Sequence, residues 1–255
     1  MARPAPLTFT ALWLAIAFAA PSGSAAEVSK PASSAPAAIE PAAIEPAAID
    51  PAAIDPAAIG RRPGIVDAVA VVPDLVVELK YSSDDNFMKR NVYGALQTCY
   101  LHRDTAAMLA TAAALLKQGH PELRLLAYDC LRPRRVQRIM WDLVKGTPQQ
   151  GFVADPGTKV ASLHNRGCAI DLTLASGDGQ ALDMGAPFDS FGREAQPRHE
   201  IELLKSGKLN SGQVGNRLLL REVMVRAGFM PVGHEWWHFD CASAGAAALR
   251  YQIVD

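Results

Sequence analysis

The sequence predicts an α+β domain, a central antiparallel sheet flanked by helices, over residues 61–255. Two observations carry this. β-rich and helical stretches succeed one another irregularly, without the strand–helix alternation of a doubly wound parallel sheet. The segment also has a size that one domain with one core can fill.

The elements follow in order. Arg3 supplies a positive n-region, residues 7–20 (LTFTALWLAIAFAA) form an uncharged apolar run, and Gly23, Ser24, Ala25 and Ala26 offer a cleavage site. The run is shorter than the roughly 20 residues a membrane-spanning helix needs. No cysteine lies near the cleavage region, so a lipid anchor is not indicated. Residues 1–26 are expected to be a signal peptide, and the mature protein exported, without stable membrane insertion.

Residues 27–60 are expected to be a disordered linker. From Pro36 a pentad recurs as PAAIE, PAAIE, PAAID, PAAID and PAAIG, ending at Gly60. Proline at every fifth residue removes helix hydrogen bonds, and the repeated acids favour an extended, solvated chain. A period of five matches no solenoid repeat.

Residues 74–80 (DLVVELK) read as a strand, followed by a polar loop through Tyr81, Asn86 and Gly94. Residues 103–118 are alanine- and leucine-rich and read as a helix, with Gly119 where a terminating glycine belongs. Residues 123–129 read as a buried strand, and Pro133 fits the first position of a helix reaching about Lys145. Residues 169–174 (AIDLTL) alternate as a strand. Residues 216–227 read as a helix stopped by Gly228, and residues 229–239 as extended chain punctuated by Pro231 and Gly233.

The formal net charge is −1, and no Lys/Arg block forms a nucleic-acid footprint. The cluster Arg132, Arg134, Arg135 and Arg138 fits a helix start with one functional arginine better. Four cysteines (Cys99, Cys130, Cys168, Cys241) in an exported chain permit disulfides in three pairings, and no CxxC pair supports a metal role.

Two stretches carry the chemistry: residues 162–174 (SLHNRGCAIDLTL) and 233–240 (GHEWWHFD). His234 to His238 literally match H-E-x-x-H, whose histidines share a helix face. The flanks Phe229, Pro231, Gly233, Trp236, Trp237 and Phe239 favour extended chain instead. The better reading takes His164, Asp171 and His238 as metal ligands and leaves Glu235 free as a general base. Three protein ligands, an open position and a spare carboxylate are the inventory of a hydrolytic zinc site. Each residue has a plainer role to weigh. Asp171 could be a buried acid on a strand, Arg132 could pair with Asp129, and Trp236 and Trp237 could only pack. His234 reads as a surface or core histidine, and His102, His120 and His199 as surface or structural.

The pattern S-x-H-x(6)-D followed by E-x-W-H resembles the zinc D-Ala-D-Ala peptidases. AIDLTL and EWWH resemble in particular their D-alanyl-D-alanine dipeptidase branch, which includes the vancomycin-resistance enzymes. The resemblance runs from about Tyr81 to Phe239. It implies the compact fold shared with the hedgehog signalling domain, and one Zn2+ per chain on His164, Asp171 and His238. It implies Glu235 as base and Arg132 as the oxyanion-stabilising group. It further implies Ser162 and Asp189 as substrate-binding residues, Asp189 for the free ammonium of a small D,D-dipeptide. The chain departs from the family at Phe152, where a tyrosine is usual, in a longer loop over residues 152–161, and at Cys130 and Cys168. The export signal is a larger departure: a resistance enzyme must act in the cytoplasm, before the dipeptide is ligated into wall precursor. A periplasmic role in peptidoglycan turnover or D-alanine scavenging is therefore expected. The enzyme alternative is a D,D-carboxypeptidase or endopeptidase acting on longer wall peptides. A zinc-stabilised binding module without activity is disfavoured by the presence of Glu235 and Arg132.

Overall fold

The last pentad folds. In the computed structural model, which describes residues 54–255, Pro56–Gly60 forms helix α1. Asp55 caps it by accepting from the Ala57 N–H, and Pro56 occupies its first turn, where no N–H is needed. Ile54 and Ile59 join the hydrophobic core. The boundary expected at residue 60 thus moves upstream, because burial of two isoleucines outweighs the low helix propensity of a proline repeat. The expected signal peptide and the rest of the expected linker lie outside the described residues.

The chain continues through β1 (Ile65–Asp67), α2 (Ala68–Val71), β2 (Val76–Val77), β3 (Tyr100–His102), α3 (Arg103–Gly119) and β4 (Leu123–Asp129). It then runs through α4 (Arg134–Val144), β5 (Ala169–Ser176), α5 (Glu200–Lys205), α6 (Ser211–Arg226), β6 (Met230–Pro231), β7 (His238–Asp240) and α7 (Ala244–Arg250). Five strands form the main sheet in the order β2-β4-β5-β7-β6, while β1 and β3 pair separately. The pairs β4–β5, β5–β7 and β6–β7 are antiparallel, but β2 runs parallel to β4. The sheet is therefore mixed and not wholly antiparallel; the long excursion through α3 between β2 and β4 allows a parallel return. β4 from Leu125 onward and β5 up to Ala175 are buried, and α3 packs against both α6 and β4.

Other boundaries shift for local reasons. The strand expected over residues 74–80 shortens to β2, and Lys80–Ser82 forms a 3-10 turn. There Asn86 donates from Nδ2 to the carbonyls of Lys80, Ser83 and Arg90, closing the loop that carries Tyr81 and Phe87. Gly119 ends α3 as its last helical residue, with His120 as the cap. Pro133 caps α4 from outside its first turn. α6 starts at Ser211 because Asn210 and Gln213 form a reciprocal capping box. Gly228, at φ +100°, ends it as expected. Extended chain over residues 229–239 resolves into β6 and β7 with an irregular connection carrying His234 and Glu235. Of the three possible disulfide pairings, the fold forms Cys99–Cys130 with Cys168–Cys241.

Candidate metal and substrate site

Strand register places the first two candidate ligands. Asp171 on β5 lies directly opposite His238 on β7, and Asp129 on β4 lies opposite Asp171. Directly opposed residues project to one face, so three adjacent strands each contribute a side chain to a single row. His164 reaches the row from a 3-10 helix, Leu163–Arg166, with a capping box between Ser162 and Asn165. Gly167 ends that turn at φ +62°, and a Cβ there would meet the His102 backbone nitrogen at 2.6 Å. No side chain fits, so the turn that aims His164 requires glycine.

His164 Nε2 lies 3.2 Å from His238 Nδ1 and 3.3 Å from Asp171 Oδ1, and His238 Nδ1 lies 3.0 Å from the same oxygen. Ligands about 2.0–2.2 Å from a tetrahedral ion sit about 3.3 Å apart, so the spacing fits a divalent cation. The far ring nitrogens are tied: His164 Nδ1 donates to the Cys130 carbonyl at 2.7 Å, and His238 Nε2 to Asp240 Oδ1 at 2.9 Å. These partners turn the lone pairs of His164 Nε2 and His238 Nδ1 toward Asp171. Burial disfavours charge here, yet Asp240 and Asp171 hold the His238 imidazole well above its usual range. Despite burial, His164 and His238 hold the Asp171 carboxyl well below its own. The three groups favour a positive charge between them.

Arg132 is buried beside this trio. Its Nε and Nη2 donate to Asp129 Oδ2 at 2.8 and 2.6 Å, Nη1 donates to Gln137 Oε1 at 2.8 Å, and Nη2 stands 3.5 Å from Asp171 Oδ2. The pairing with Asp129 weighed from sequence thus exists, and it fixes the guanidinium at the cavity. Glu235 places Oε2 3.9 Å from His238 Nδ1 and Oε1 3.9 Å from His234 Nε2. Burial pushes its carboxyl up to about 8, against the opposing pull of His238.

Asp189 faces the same cavity from a loop, with its backbone at φ +61°. Its Oδ1 accepts from the Tyr81 hydroxyl at 2.8 Å and its Oδ2 from the Phe87 N–H at 3.2 Å. Burial lifts its carboxyl to about 7 against those hydrogen bonds. Ser162 lines the cavity while its Oγ accepts from the His164 N–H at 3.3 Å.

Arg132, Ser162, His164, Asp171, Asp189, Glu235 and His238 all line one cavity of about 310 Å³. Trp236 and Trp237 are buried, and Trp237 also touches the cavity. His234, read from sequence as surface or core, is half-buried on the cavity wall, edge-on to Phe152 at 6.0 Å. Sequence reasoning missed Asp240, Tyr81 and Gln137. Asp240 had a signal, since residues two apart on a strand share a face. Tyr81 opens the family resemblance, but nothing in the sequence pairs it with Asp189, 108 residues away.

Such a site, two imidazoles and a carboxylate able to hold a cation beside a free glutamate, defines a metal-dependent hydrolase. The chain belongs to the D-ala-D-ala dipeptidase family, which it matches over residues 61–254, and is a metallo-dipeptidase. It is 35% identical over 185 residues to the D-alanyl-D-alanine dipeptidase of Escherichia coli (strain K12), covering 72% of this chain and 88% of that protein. The D-alanyl-D-alanine dipeptidase of Enterococcus faecium is 27% identical over 183 residues, covering 64% of this chain and 83% of the relative. That of Synechocystis sp. (strain ATCC 27184 / PCC 6803 / Kazusa) is 28% identical over 160 residues, 52% and 65% respectively.

Proposed function

We propose that this protein is an exported zinc enzyme that hydrolyses free D-Ala-D-Ala to two D-alanines. The observation that carries this is the single cavity shared by the His164–Asp171–His238 trio, Glu235, Arg132 and Asp189. A zinc ion on the trio supplies a Lewis acid and brings the pKa of a water to about 7. The other residues then have separate tasks. Glu235 takes the proton of the attacking water, and the adjacent positive charge favours its carboxylate form against burial. It passes that proton to the leaving amine. Arg132, held rigid by Asp129 and Gln137, stabilises the oxyanion growing on the scissile carbonyl. Asp189, with Tyr81 as donor to one oxygen, binds the substrate ammonium, and Ser162 borders the peptide. The cavity is at the small end of the roughly 300–1,000 Å³ of ligand pockets, in keeping with a dipeptide. The two disulfides and the leader over residues 1–26 support export. We place the reaction in peptidoglycan turnover or D-alanine recovery, with the compact fold shared with the hedgehog domain.

The test compares free D-Ala-D-Ala with its N-acetylated form on the mature enzyme. The free dipeptide is expected to be preferred on the order of 10–100-fold in kcat/KM, the worth of a charge-assisted bond. A chelator should abolish turnover and zinc restore it. Because the Asp189 carboxyl is raised to about 7, protonation below that pH removes the ammonium partner. KM for the free dipeptide should therefore rise as pH falls through about 7, with no matching rise for the acetylated one. Preference for the acetylated substrate would instead identify a carboxypeptidase or endopeptidase.

A further inference from the structure

We infer that Arg217, which does not line the cavity, is a positioning residue that sets selectivity for an unblocked N-terminus; this rests on the role given to Asp189. Arg217 lies on α6 and is 1% exposed. Its Nε donates to the Met184 carbonyl at 2.7 Å and its Nη2 to the Glu194 carbonyl at 2.8 Å. Those carbonyls bracket the loop that carries Asp189, so one guanidinium closes both ends of it. Glu200 balances the charge, 3.6 Å from Nη1. Trp236 donates from Nε1 to the Ala186 carbonyl at 3.1 Å, adding a tie from the segment that carries Glu235. Asp189 itself sits in left-handed backbone, a conformation that persists only where its surroundings impose it. Removing the guanidinium takes the donor from both carbonyls, that of Met184 buried and that of Glu194 half-buried, and frees the loop. A lysine offers one compact ammonium and cannot reproduce the fork.

The experiment measures kcat and KM on free and N-acetylated D-Ala-D-Ala for wild type, Arg217→Met and Arg217→Lys, with zinc per chain and thermal unfolding alongside. A group misplaced by about 1 Å can cost about 10²-fold. KM for the free dipeptide should rise at least about tenfold in Arg217→Met, with KM for the acetylated dipeptide and zinc content unchanged, and Arg217→Lys intermediate. If Arg217→Met does not fold, Arg217→Lys alone decides through the ratio of the two substrates. A parallel fall on both substrates, or an unchanged ratio, overturns the inference while a wild-type preference for the free dipeptide leaves Asp189 in its role. A wild type without that preference overturns both.

The disulfides carry a second, independent inference: we propose that they tie assembly of the metal site to an oxidising compartment. Cys130 of the first bridge supplies the carbonyl that orients His164. The second bridge joins the residue before β5 to the residue after β7, and Cys241 also donates its N–H to the Cys168 carbonyl at 2.8 Å. It closes the strand pair in which Asp171 faces His238. In a reducing cytosol four thiols leave these elements unstapled, and the cell's own D-Ala-D-Ala escapes hydrolysis. After export, each thiol pair gives two electrons and two protons to a disulfide-bearing oxidant, which leaves as a dithiol.

The test replaces all four cysteines by serine, because free thiols would themselves bind zinc. Zinc affinity by chelator competition, far-UV circular dichroism and turnover are compared with the oxidised wild type. At least about tenfold weaker zinc binding with a matching loss of turnover is expected. If the quadruple variant does not fold, Cys168→Ser with Cys241→Ser alone, which opens only the bridge across β5 and β7, decides by the same zinc measurement. Zinc affinity and turnover both within twofold of wild type would overturn it.

Discussion

Glu235→Gln is expected to lower kcat by about 10²–10⁴-fold, the usual worth of a positioned general base, while zinc content and KM stay near wild type. The carboxyl is 3.9 Å from His238 Nδ1 and lies outside the trio of groups placed to hold an ion together, yet it is close enough to reach a water beside it. Glutamine keeps the shape and loses the proton acceptor. The expected pattern, a kcat loss without metal loss, identifies an interaction made in the transition state. Measurement of kcat and of zinc per chain on one preparation decides it. Turnover retained within a few-fold would remove Glu235 from the mechanism.

His164→Ala should instead act on the metal. The ring is 1% exposed, and its Nε2 is the corner of the trio that the sheet does not supply. Loss of an outer-shell partner alone costs about 10–100-fold in metal affinity, and loss of a ligand should exceed that. Zinc per chain after dialysis should fall well below that of the wild type, and turnover with it. Because metal binds only the folded state, the melting temperature should lose its zinc dependence. A variant that keeps both zinc and its zinc-dependent melting would remove His164 from the ligand set.

Much of the site was legible because its groups are common in chemistry and spaced in motifs. His164 and Asp171 share one thirteen-residue stretch, residues 162–174, and the aromatic, proline- and glycine-rich flanks of His238 already argued for strand over helix. The long buried strand β4 and helix α3 were legible from composition for similar reasons. What escaped depends on distance along the chain. The hydroxyl of Tyr81 meets Asp189 only after the loop around Asn86 has closed, and no periodicity records that. The start of α6 escaped because Gly212 and Gly215 lower its propensity, and only the Asn210–Gln213 cap makes up for them. The parallel pairing of β2 rests on two residues, too few for any pattern. Helix α1 escaped because a repeat reads as uniform, while only its final copy meets the core.

The row formed by Asp129, Asp171 and His238 across three neighbouring strands has a consequence for folding itself. Side chains alternate between faces along a strand, so a slip of β7 by one position would carry His238 to the opposite side. A cation that needs Asp171 and His238 together is therefore bound by the correctly zipped sheet and refused by its nearest misfolded competitors. The ion then acts as an inspector of strand alignment, adding its binding energy only to chains that have already paired correctly.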